Sequence, residues 1–154
     1  MNLQELIDEN ITELGYLDIT ITSIVELRNL IADTEPTNLY KAAMNQYISE
    51  FYNGIENILK RICKFNKIPV PHGSDSHINL FNLFVTNGHS TLPVIFTPEI
   101  ENEFIKIRKF RHFVIHGYSF KIEWSYLKDS VAKIDSIYDI VKHNILNYIE
   151  TLKT

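Results

Sequence analysis

The chain has one cysteine, one tryptophan, and only five glycines and five prolines in 154 residues. A lone cysteine excludes an intrachain disulfide. Cys63 lies in an apolar helical pattern, which reads as a small buried hydrophobe rather than a reactive thiol. No apolar run approaches the roughly 20 residues of a membrane-spanning helix. The N-terminus, MNLQELIDENITEL, carries acid where a secretion signal carries base followed by an unbroken apolar run. There is no low-complexity segment and no internal repeat. With 45% hydrophobic and 22% charged residues the chain is neither disordered nor a membrane protein. These exclusions leave a soluble, cytoplasmic protein of one domain, residues 1–154, long enough to bury a core without staples.

Charge is unevenly spread. The net charge is −4, yet from Phe104 to Lys121 there are five basic residues (Lys106, Arg108, Lys109, Arg111 and Lys121) and no acidic ones, leaving ten basic against nineteen acidic residues elsewhere. One basic stripe on an acidic body fits a local anion site better than a general nucleic-acid coat. A solvated helix face balanced by acidic neighbours is the other reading.

The periodicity is helical throughout. Leu3, Leu6, Ile7, Ile11, Leu14, Leu17, Ile21, Ile24, Val25 and Ile31 keep a spacing of three and four that runs through the strand-like DITIT, with a bend expected near Gly15–Asp18. After ADTEP, with Thr34 as cap and Pro36 in a first turn, a second helix is expected over Asn38–Phe65. Its apolar face is Tyr40, Tyr47, Phe51, Ile55, Ile58, Leu59 and Ile62. Tyr52, Asn53, Glu56 and Asn57 read as a solvent-facing stripe or as support for the basic cluster. Gly54 reads as a point of close helix contact. The loop KIPVPHGSDSH leads to a short helix capped by Ser76 and carrying Leu80 to Val85. Thr97-Pro98-Glu99 opens a fourth helix, whose Glu99, Glu101 and Glu103 complement its positive end. That helix carries Ile100, Phe104, Ile107, Phe110, Phe113 and Val114 and ends near Gly117 in a left-handed cap. A last helix runs from Glu123 to Leu152. The fold class is all-α: an antiparallel bundle of four long helices plus a short one.

The chemistry-bearing stretch is FRHFVIHGY, Phe110–Tyr118. In a regular helix His112 and His116 share a face one turn apart, with Arg108 a turn earlier. Arg111 and His116 lie about 140° apart around the axis. They converge only if the helix ends at His116 or if two subunits face each other. A converged pair suits phosphodiester cleavage. The forked, permanently charged guanidinium grips phosphate and stabilises its developing charge, and the imidazole moves a proton near neutral pH. RNA supplies its own 2′-hydroxyl nucleophile, so neither cofactor nor metal is called for. His112-x-x-x-His116 also has two-ligand zinc spacing, with His72, His77, His89 or His143 as a third ligand, but there is no HExxH and no carboxylate close to the pair in sequence. The remaining reading is a helix end in which Arg, His and Tyr meet the exposed carbonyls.

Arg111-x4-His116-x-Tyr118 resembles the R-x4-H-x-Y motif of HepT-like toxins in the HEPN superfamily. FRHFVIHGYSFKIEW and FYNGIENILKRI resemble the segments around that motif and the second helix of those proteins. The resemblance implies an all-α dimer with a composite site at its interface. It implies a metal-independent ribonuclease acting on tRNA or mRNA, paired with a nucleotidyltransferase antitoxin. Carried over by position, Arg111 and His116 are catalytic, His112 is accessory, and Tyr118 is the tyrosine that the antitoxin AMPylates. Arg108 and Glu56 are further candidates for the site. The alternative function is a non-catalytic helical module that docks a nucleotidyltransferase. A third reading is a plain helical dimerisation domain.

Overall fold

Asn2 begins the first helix by a reciprocal cap. Its side chain accepts from the Glu5 amide at 2.9 Å, and the Glu5 carboxylate accepts from the Asn2 amide at 2.9 Å. From there α1 runs without interruption over Leu3–Ile31. DITIT is held in it by the buried helical face of Leu17, Ile21 and Ile24, while the Thr22 and Ser23 hydroxyls bond back to the Asp18 and Ile19 carbonyls. The structure is a computed structural model that describes the backbone of residues 1–154 and all side chains except those of Phe113, Val114 and Ile115. The expected inward positions of Phe113 and Val114 lie outside the described side chains.

The second helix, α2, spans Asn38–Phe65. Its cap is Thr37, whose hydroxyl accepts from the Tyr40 amide at 3.2 Å, and not Thr34. Thr34 instead donates to the Ile31 carbonyl and closes the end of α1, while Pro36 lies outside both helices. The two helices are antiparallel. Arg61 meets Glu9 and Glu13, Asn57 meets Glu13, and Gly54 lies against Leu17, so rising numbers in α2 pair with falling numbers in α1. A Cβ on Gly54 would stand 2.6 Å from Leu17 Cδ2. Hydrogen there is what lets the backbones approach.

Next come α3, Ser76–Asn82, and α4, Pro98–Ile115. Asp75, not Ser76, precedes α3 as its cap residue, and α3 ends before Val85 because the chain turns at Leu83. Thr97 stands ahead of α4, with its carbonyl accepting from the Ile100 and Glu101 amides. After α4 a 3-10 turn at Ser119–Lys121 leads to α5, Trp124–Leu152, which starts one residue later than expected. Four long helices form the bundle: α1 packs on α2 and α5, and α4 packs on the same two, with α3 against α2. Among the described residues the extended pairing is limited to one bridge, Val85 with Phe96.

Helix α5 is pinned to α1 at two heights. Tyr138 Oη donates to Asp18 Oδ1 at 2.5 Å, and Lys142 Nζ donates to the same carboxylate at 2.9 Å. Higher up, Arg28 meets Asp135 at 3.0 Å. Burial, followed by the Asp18 contact, pushes the Tyr138 phenol far above its ordinary range. Cys63 is fully buried, and burial pushes its thiol up to about 11. Both groups stay protonated and serve packing. No described helix is long and apolar enough to cross a membrane.

Two outcomes follow from this packing. Gly54→Val should lower stability by about 2 kcal/mol, because the added methyls meet buried Leu17; urea unfolding with an unchanged m-value measures it, and wild-type stability would refute the close contact. Hydrogen bonding from Arg28 holds the Asp135 carboxyl below its usual range. A depressed carboxyl adds stability that is present above the ordinary carboxyl pKa of about 3.9 and is lost as pH falls through its lowered value. Asp135→Asn should therefore be destabilised near neutral pH, by at most about 1 kcal/mol for so exposed a pair. The gap to wild type should close in acid.

Candidate active site

Phe104, on the inward face of α4, is the centre of an aromatic cluster that draws three further segments together. Its ring lies 4.5 Å from Phe96, 5.7 Å from Tyr52 and 5.8 Å from Phe81, which is stacked on it. Phe81 belongs to α3, Tyr52 to α2, and Phe96 to the loop before α4. One and two turns beyond Phe104, α4 carries Arg108 and Arg111 toward the same cluster. Arg108 places its guanidinium 5.0 Å from the Phe81 ring centre, and Arg111 places its own 5.3 Å from that of Tyr52.

Arg111 is fixed by hydrogen bonds on two sides. Its Nε and Nη2 both donate to Asn53 Oδ1, at 3.1 and 2.8 Å. Its Nη1 faces His77 Nε2 at 3.3 Å. On the other side of the imidazole, His77 Nδ1 lies 2.6 Å from Glu56 Oε2. Nδ1 donates to the carboxylate, so in the neutral ring Nε2 carries the lone pair and accepts from Arg111. A proton on Nε2 would set N–H against N–H, so the contact is a hydrogen bond in the tautomer with Nε2 unprotonated. Three of the five guanidinium donors are used in this way. The others meet no protein acceptor among the described residues, and no described carboxylate forms a direct ion pair with Arg111. Arg111 is held in position with no described carboxylate in direct contact.

Glu56 and Tyr52 are 5% and 1% exposed. This corrects the reading of a solvent-facing stripe for these two, while Asn53 and Asn57 do face outward. Burial, followed by the negative charge of Glu56, drives the Tyr52 phenol well above its ordinary value. His77 and Asn53 carry the site as much as Glu56 does, yet nothing local in the sequence marks His77. It lies 21 residues from Glu56 and 34 from Arg111.

The motif histidines lie elsewhere. α4 ends at Ile115, so His116 is the first residue beyond it. His112 and His116 are both exposed, with ring centres 4.8 Å apart. Within one chain no described hydrogen bond joins His116 to Arg111. Tyr118 is 67% exposed, stacked on Phe120 at 5.4 Å, with Lys121 Nζ 5.7 Å from its ring centre. Among the described residues no group of three or more His, Cys, Asp and Glu gathers as a metal cluster.

The five basic residues do not form one stripe. Arg108 and Arg111 face α2 and α3. Lys106, Lys109 and Lys121 line a groove of about 720 Å³ between α4 and the start of α5, floored by Phe110, Ile122 and Leu127. On α4 the pair Arg108 and Arg111 and the pair Lys106 and Lys109 lie on opposite sides because three-residue steps keep each pair on its own face, and Lys121 joins the lysines from the 3-10 turn.

Residues 43–152 match the family described as HepT-like protein. The chain belongs to the HepT-like family, in the HEPN superfamily. The matched span begins in α2 and runs through α5, so it contains Asn53, Glu56, His77 and the whole Arg111–Tyr118 stretch. No curated protein and no solved structure is significantly similar to the chain.

If Asn53 fixes the guanidinium of this HepT-like protein, the Arg111 Nε proton should exchange slowly with solvent and appear as a discrete resonance. Asn53→Ala should speed that exchange while leaving helical content unchanged. Equal exchange in both would show that Arg111 is not held by Asn53.

Proposed function

We propose that the protein is a metal-independent endoribonuclease toxin acting on tRNA or mRNA, with Arg111 and His116 as its catalytic pair. The observation that carries this reading is the state of Arg111: positioned by Asn53 and His77, stacked over Tyr52, and without a carboxylate of its own. A guanidinium kept in that condition has donors and charge to offer a phosphodiester. In the reaction the 2′-oxygen attacks phosphorus, the bond to the 5′-oxygen breaks, and the products are a 2′,3′-cyclic phosphate and a 5′-hydroxyl. Arg111 stabilises the charge that builds on the phosphate oxygens. His116 transfers a proton.

Arg111 is turned toward α2 and α3, whereas His116 is exposed past the end of α4. The active unit is therefore a dimer in which His116 of one copy approaches Arg111 of the other. His112, beside His116, takes part in binding RNA. The lysines of the groove between α4 and α5 give the flanking strand a basic path. Tyr118 is the acceptor for AMP from a nucleotidyltransferase antitoxin. The adduct adds bulk and negative charge two residues from His116 and repels the RNA phosphate.

Purified protein, with an intact mass showing Tyr118 unmodified, should cleave total tRNA or a model mRNA in the presence of EDTA and leave 2′,3′-cyclic phosphate ends. His116→Ala should cut at least about 100-fold more slowly. No cleavage by unmodified protein would favour the docking module instead. Separately, incubation with a cognate nucleotidyltransferase and ATP should add AMP to wild type and none to Tyr118→Phe. Equal labelling of both would remove Tyr118 from the scheme.

A further inference from the structure

We propose that His77, aligned by the Glu56 carboxylate, is the general base of this site, the group that takes the proton from the 2′-hydroxyl. The proposal rests on the ribonuclease reading above and assigns His116 the complementary role of general acid.

Three observations converge on His77. First, its orientation is imposed. The 2.6 Å contact between Nδ1 and Glu56 Oε2 fixes the ring, and Glu56 is itself nearly fully buried. Second, the carboxylate at Nδ1 selects a tautomer. With Nδ1 donating to the carboxylate, Nε2 carries the lone pair, which is the state a base requires. Third, its location is right. Nε2 lies 3.3 Å from Arg111 Nη1, beside the donors that would grip the phosphate. The His77 side chain is 40% exposed, so a substrate can reach it.

The groups around His77 are few. From α2 it meets Glu56 and the edge of the Tyr52 ring, with ring centres 6.2 Å apart. From α4 it meets Arg111, with Arg108 one turn earlier. On its own segment Asp75 precedes it in the chain. The Glu56 carboxylate lies against Nδ1, and the Arg111 guanidinium lies against Nε2. A phosphate gripped by Arg111 draws that donor away from Nε2 and frees the lone pair. A buried carboxylate behind an imidazole plays the same orienting and stabilising part in hydrolytic triads.

The step balances. His77 Nε2 takes the 2′-hydroxyl proton as the bond from the 2′-oxygen to phosphorus forms. The bond to the 5′-oxygen breaks, its electron pair stays on that oxygen, and the His116 imidazolium protonates it. Solvent then removes the proton from His77 and restores the one on His116.

The test uses the full-length protein and a short RNA containing its mapped cleavage position, with EDTA present. His77→Gln keeps a hydrogen-bond acceptor for Arg111 and removes the titrating group. Cleavage should fall at least about 100-fold. RNA affinity should stay within a few-fold, and the rise of rate with pH on the acid side should flatten. Glu56→Gln should give a smaller loss at unchanged affinity. A second RNA, with sulfur in place of the scissile 5′-oxygen, has a leaving group that needs no proton. On it His116→Ala should recover most of its rate, and His77→Gln should not. If wild type cleaves and His116→Ala does not, wild-type cleavage by His77→Gln overturns the base assignment and leaves the ribonuclease reading intact. Rescue of His77→Gln by the sulfur substrate, or a slowed variant that keeps its acid-side limb, overturns it as well. If wild type itself does not cleave, the ribonuclease reading falls and the base assignment falls with it.

Discussion

The site depends on the packing of aromatic rings around Phe104. Arg111 and His77 belong to different helices, and α3 is too short to hold a position on its own, since an isolated two-turn helix is unstable in water. Its order comes from Phe81, stacked on Phe104 and 4.5 Å from Phe96, and from Leu80, which is also buried. Phe96 is in turn tied down where the Ile95 and Phe96 amides donate to the Phe84 carbonyl and Asn144 donates to the Ile95 carbonyl. The cluster thus transmits position from the bundle, through a loop, to a helix of seven residues. That is how an imidazole in an otherwise loop-rich stretch comes to face a guanidinium.

Given that scaffold, the polar arrangement follows from the cost of burial. Glu56 is buried, and a buried carboxylate without a partner is strongly destabilising. His77 supplies the hydrogen bond, and Arg111 supplies positive charge one ring further out. Had Arg111 contacted Glu56 directly, the two charges would have cancelled and left little for a substrate. The intervening imidazole keeps the guanidinium oriented without neutralising it. Arg108, one turn back, is spent differently. It lies over Phe81 and is half-buried, so it serves the cluster more than the open side of the site.

Much of the fold is legible in the sequence because three- and four-residue spacing carries through every long helix. The bounds of α2 follow from that spacing, and the strand-like DITIT yields to it because the residues around it already bury a helical face. The caps are harder. Thr34 and Thr37 are equally good residues, and the choice depends on where Pro36 sits between two packed helices. The stripe of Tyr52 and Glu56 was misleading for a related reason. Polar atoms on an apolar helix look solvent-facing until a partner from a distant segment is in place. Arg111 is visible from its motif. Its partner His77 is not, because the contact is made by tertiary packing across tens of residues, and periodicity carries no record of it.

Tyrosine placement shows what exposure can and cannot decide. Tyr52 and Tyr138 are buried, and their phenols are held protonated, so neither is available to a modifying enzyme. Tyr16, Tyr118 and Tyr126 are all open to solvent, so exposure alone does not select Tyr118. Tyr118 differs from the other two in its surroundings. Tyr118 follows the helix end that releases His116, it stacks on exposed Phe120, and Lys121 lies over its ring. A cation over the ring favours negative charge arriving at that position. The same cation belongs to the groove that would guide RNA. If AMP is added at Tyr118 as proposed, it would sit against Lys121 and compete for the charges proposed to guide RNA, with no distortion of the fold required.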